Sequence, residues 1–144
     1  MINVKKILAP LAEAHYDDWT VRIVFSELDR QLAKASKEER LNALREEHMT
    51  AYPDVEPKHG AYMAGLTEYI FCLHGESPPN WVNKAEYFLP EIAYEDSIEK
   101  LSKNTDSYKK IAIRKAIPQF MRHNIVVEQL TPSTPKRPSP PLPA

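Results

Sequence analysis

The chain has 144 residues, 42% apolar and 27% charged, with 13 prolines, 3 glycines and a net charge of −1. That length suits one domain burying roughly 68–70% of its unfolded surface, and the leucines, isoleucines, valines and aromatics recurring through 1–130 exclude a collagen-like or wholly disordered chain. No apolar run reaches the roughly 20 residues of a bilayer span, and Met1-Ile2-Asn3-Val4-Lys5-Lys6 lacks the apolar stretch of a signal peptide, so the expected compartment is the cytoplasm.

In chain order, Val4, Ile7, Leu8 and Leu11 form a short helical pattern that Pro10 interrupts or kinks. Val21, Val24, Phe25, Leu28 and Leu32 then predict an amphipathic helix over 17–35, with Asp17 or Asp18 as its cap. Ser36-Lys37-Glu38-Glu39 is a capping box, and Leu41, Leu44 and His48 extend one face, giving a helix over 37–49. Two prolines, Pro53 and Pro57, mark a loop over 52–57. Tyr62, Met63, Leu66, Tyr69, Ile70 and Leu73 make the central helix of the chain, with Gly75 at the position after its C-terminus. Gly65 inside that helix costs about 1 kcal/mol relative to alanine, which a close helix crossing there would explain.

After the break at 76–80, Trp81, Val82, Ala85, Phe88 and Leu89 predict a short helix stopped by Pro90. Residues 107–117 present Ile111, Ile113, Ala116 and Ile117 among basic side chains. Pro118 opens one turn of helix, and residues 125–127 read as a small extended stretch. With no repeated alternation and no glycine-rich turns, the expected class is all-α, a compact multi-helix bundle over 1–130. Residues 131–144 hold six of the thirteen prolines and form an extended polyproline II tail, with Pro135 and Pro138 at PxxP spacing.

The small net charge conceals a division. Residues 1–96 hold 10 Lys+Arg against 17 Asp+Glu, or −7, whereas 97–144 hold 9 against 3, or +6. A basic end on an acidic body suits contact with an acidic surface, whether nucleic acid or protein, or attraction between the two parts of one fold.

Specific chemistry is sparse. Gly60, Gly65 and Gly75 make neither phosphate-cradling motif. His15, His48, His59, His74 and His123 lack the paired spacing of a zinc helix. Cys72, alone in the chain, can form no internal disulfide or cysteine-rich zinc site, and it stands two residues from His74, a spacing at which helical side chains do not meet. It reads as a small residue beside the helix core. No catalytic, metal or cofactor-binding residue is assigned, and the chain reads as a non-enzyme.

The stretch Ala61-Tyr-Met-Ala-Gly-Leu-Thr-Glu-Tyr69 through Gly75, then Pro79-Asn-Trp81-Val82 and Tyr87-Phe-Leu-Pro90, resembles a group of small bacterial helical proteins. Those proteins read A-L-x-A-x-L-A-E-Y-x-x-x-x-x-G, then P-x-W-V and F-L-x-x-P. Ile117-Pro-Gln-Phe-Met-Arg-His-Asn-Ile-Val-Val127 is similar to their closing S-P-x-x-F-R-x-x-N-I-F-V element. Ile117 and Ile92-Ala93-Tyr94 depart from the pattern, which spans about 60–127. Members are encoded beside nucleotidyltransferase-like proteins and are regarded as antitoxins. The resemblance therefore implies a protein that binds and neutralises such a toxin.

On the charge division, Lys109, Lys110, Arg114, Lys115, Arg122, Lys136 and Arg137 are the expected contacts with an acidic partner surface. The alternative is a nucleic-acid-binding regulator using the basic segment 109–123, with His123 joining those cations along a phosphate track. Trp81 and Phe120 are expected to hold the fold.

Overall fold

A computed structural model describes residues 2–12, 17–94, 109 and 112–127. The predicted proline-rich tail, and with it Lys136 and Arg137, lies outside the described residues, as does Lys110.

The described chain is mostly helical. Helix α1 (Val4–Leu8) begins at Asn3, whose side chain accepts from the Lys6 amide, and continues as a 3-10 turn through Pro10. The amphipathic pattern becomes α2 (Asp18–Lys34), capped by Asp17, with Val21, Val24, Phe25, Leu28 and Leu32 buried. The capping box at Ser36 and Glu39 is formed and starts α3 (Lys37–Arg45), which ends four residues earlier than the sequence pattern predicted. A 3-10 turn follows at Met49–Ala51. Arg40, buried beneath this corner, donates to the Leu32 and Ala33 carbonyls and so satisfies the end of α2.

Helix α4 (Pro57–Leu73) starts on Pro57, where a proline sacrifices no intrahelical hydrogen bond. The sequence pattern marks one apolar stripe, but every residue from His59 to Glu68 is buried. Such all-round burial places α4 at the centre of the molecule. Past the last residue of α4 the chain turns away at Gly75, whose φ of +71° suits a residue without a side chain.

One expectation needs correction: residues 80–87 form two 3-10 turns, Asn80–Asn83 and Ala85–Tyr87, rather than one short helix. The small extended stretch expected at 125–127 is present as β2 (Ile125–Val126), which pairs in parallel with β1 (Ala93–Tyr94) within a mostly helical fold. Between these strands in sequence lies α5 (Pro118–Met121), the turn of helix opened by Pro118.

One apolar core joins α1, α2, α3 and α4 to Trp81, Val82, Tyr87, Leu89, Phe120, Ile125 and Val127. The aromatic rings of Phe25, Tyr62 and Phe120 run through it in tilted contact, at centroid spacings of 4.8 and 5.2 Å. No described helix is long and apolar enough to cross a membrane.

Candidate functional site

The segment 112–127 carries most of the described residues predicted to meet a partner, and its position is set by α4. Phe120 lies directly over Gly65: a Cβ built there would stand 2.6 Å from the ring and 3.1 Å from the Phe120 backbone. The glycine thus admits α5 against α4, the close crossing that its cost in the helix implied.

One turn further along α4, Glu68 is buried. Arg122 reaches it from the end of α5 with two hydrogen bonds, through Nε at 3.0 Å and through Nη2, and Nη2 also donates to Asn83 Oδ1 at 2.6 Å. The guanidinium sits 5.0 Å from the centroid of Phe88. Glu68 in turn raises the Arg122 pKa, chiefly through this hydrogen bonding.

His123 is fully buried, stacked on Phe88 at 4.4 Å. Its Nδ1–H donates to the Tyr87 carbonyl at 2.7 Å, and Nε2 stands 3.2 Å from Glu68 Oε1 without the alignment of a hydrogen bond. Because a carboxylate only accepts, that last contact is attractive when Nε2 also carries a proton.

Backbone bonds complete the attachment. Leu89 N–H donates to the His123 carbonyl, Ala93 N–H to that of Asn124, and Ile117 N–H to that of Val127. Asn124 adopts φ 63° and its side-chain amide donates to the Leu89 carbonyl at 2.6 Å. Asparagine tolerates this left-handed conformation better than most residues.

The predicted cations consequently divide. Arg122 is turned inward to Glu68 and Asn83, keeping 45% of its side chain exposed. His123 has no surface with which to follow a phosphate backbone, which corrects the expectation that it would. Arg114 and Lys115 are exposed beside Ile113, itself 39% exposed, while Ala112 is anchored against Val126. Lys109 is half-buried with its ammonium 4.8 Å from the Tyr94 ring. An exposed apolar residue between a core anchor and two cations can contact a complementary acidic and apolar surface.

A groove of about 400 Å³ runs beside the Glu68–Arg122 pair, lined also by Cys72, Pro78, Val82, Asn83, Pro118 and Gln119. Cys72 is exposed at its wall, contrary to its expected position beside the core. The described residues contain no group of three His, Cys, Asp or Glu side chains placed to hold a metal ion. Trp81 and Phe120 are core residues as expected, with the Trp81 indole donating to the Arg45 carbonyl at 3.1 Å.

Sequence reading gave Glu68 no role, although a signal was present. It is the sole Asp, Glu, Lys or Arg between 59 and 73, in the midst of an otherwise uncharged helix. Asn83, on a turn far away in sequence, offered no comparable signal. Comparison with protein-family models, curated proteins and solved structures finds no match to this chain.

Proposed function

We propose that this chain is a non-enzymatic binding protein that engages an acidic protein surface through the 109–115 segment and neutralises its partner. On the resemblance over 60–127, the partner is a nucleotidyltransferase-like toxin. The observation that carries the reading is the exposed Ile113-Arg114-Lys115 patch on a segment whose following residues are locked to α4 and β1. A preorganised patch loses less freedom on binding than a mobile one. The resemblance-bearing residues Gly65, Glu68, Phe120, Arg122 and Asn124 supply that rigidity, so their role is to hold the platform. Burial of His123 and pairing of Arg122 with Glu68 also favour a protein partner over nucleic acid, because they remove two of the groups a phosphate track would use.

The test is co-expression with a nucleotidyltransferase-like toxin. Wild type restores growth, whereas Arg114→Glu/Lys115→Glu, folded by circular dichroism, fails to do so. Equal rescue by both proteins would overturn the assignment of this patch.

A further inference from the structure

His123 is completely buried, yet only one of its two ring nitrogens is satisfied. Nδ1 lies 2.7 Å from the Tyr87 carbonyl oxygen. At that distance the nitrogen carries the hydrogen. Turning the ring over would press a carbon against the oxygen well inside the usual C–H···O spacing, so one ring orientation is held. Nε2 then faces Glu68 Oε1 at 3.2 Å, inside the core and with no hydrogen-bond partner.

The neighbours of this contact decide what it needs. Both oxygens of Glu68 accept from Arg122, Oε2 from Nε and Oε1 from Nη2, which favours the ionised carboxyl group. A neutral His123 would set the Nε2 lone pair against that carboxylate, two acceptors with no hydrogen between them. A proton on Nε2 turns the opposition into attraction. Burial and the Arg122 charge oppose that proton, but Arg122 shares the same carboxylate and keeps 45% of its side chain in water, which screens it. From α4 the cluster also receives Cys72, on the groove side of Arg122. From the turn at 85–87 it receives Tyr87, whose hydroxyl is engaged by Glu47 together with Lys84, and the Phe88 ring stacks on the imidazole.

We propose that folding takes up a proton at the Glu68–His123 contact, which links the attachment of the segment 112–127 to pH. The carbonyls of His123 and Asn124 receive the Leu89 and Ala93 amides, so the proton sits in the midst of that attachment. The stabilisation is present while the proton is held and is lost as rising pH removes it. This linkage belongs to the fold and holds whichever partner the exposed patch engages.

Nitrogen NMR of the full chain, labelled at histidine, reads the ring directly. Near neutrality His123 shows protons on both ring nitrogens. A neutral ring with hydrogen on Nδ1 alone would overturn the proposal, and this reading needs only the wild type. Chemical denaturation from about pH 6 to about pH 9 reads the linkage against Glu68→Gln, whose amide donates to Nε2 without a proton from solution. The wild-type folding equilibrium constant falls relative to the variant by up to about tenfold per pH unit over the interval in which the proton leaves. Amide exchange at Leu89 loses protection over the same interval. A wild-type to variant ratio that stays constant across the range would also overturn the proposal.

Discussion

At Gly65, helix propensity and packing pull in opposite directions, and packing wins. Alanine gains about 1 kcal/mol of helix preference. It also drives a methyl group to within 2.6 Å of Phe120, whose backbone is too close to yield freely. Gly65→Ala should therefore lower stability by about 1–3 kcal/mol, the range of an overpacked core, as read by chemical denaturation. At Glu68 the same helix buries a carboxyl group whose oxygens accept from Arg122. Removing one member of a buried pair costs about 3–5 kcal/mol, but Arg122 keeps nearly half its surface in water, so Glu68→Ala should cost about 2–3 kcal/mol. Asn124 separates two contributions. Asn124→Gly preserves the left-handed backbone and loses only the bond to Leu89, whereas Asn124→Ala loses both; the alanine variant should unfold at the lower denaturant concentration.

At the scale of elements, the residues after α3 are joined to the 3-10 turns at 80–87 through Glu47. It accepts from Lys84 Nζ at 2.6 Å and from the Tyr87 hydroxyl at 2.5 Å. Burial pushes the Glu47 pKa up, but these hydrogen bonds and the Lys84 charge outweigh it and hold the group below its ordinary value. Burial, then the bond to Glu47, pushes the Tyr87 phenol up. A carboxylate depressed by folding contributes stability that is present above its unfolded pKa, about 4.3, and is lost as pH falls through the lower folded value. The stability difference between wild type and Glu47→Gln should accordingly be largest near neutrality and shrink in acid, as followed by thermal unfolding across pH. The helices that sequence patterns located best are α2, which buries a regularly spaced stripe, and α4, which buries a contiguous run; Asp17 marks the start of one and Gly75 follows the end of the other. The 3-10 turns at 80–87 escaped because Trp81, Val82 and Tyr87 are spaced by the surfaces they meet, on α4 and at Arg45 and Glu47, rather than by a helical repeat. β2 was legible as the extended stretch at 125–127, but its partner β1 escaped for a related reason: two residues are too few for alternation to show. The candidate site was legible only in part. Composition located the basic segment, but which of its cations remain on the surface depended on Glu68 and Asn83, far away in the chain.

The whole molecule joins a core centred on α4 to a basic closing segment that Phe120, Arg122 and Asn124 fix in place. This arrangement separates the residues that hold the protein together from those available to a partner. Charge reversal at exposed Arg114 should leave stability within about 0.5 kcal/mol, as for surface substitutions away from buried networks, while weakening neutralisation. Phe120→Ala should act in the opposite order, costing about 3–5 kcal/mol and losing binding only because the platform unfolds. The most direct measurement is capture of the tagged chain from its host at moderate salt after nuclease treatment, with the bound material identified by mass spectrometry. The account predicts stoichiometric recovery of a nucleotidyltransferase-like protein. Recovery of no protein, with salt-sensitive binding of DNA or RNA in an untreated sample, would contradict it.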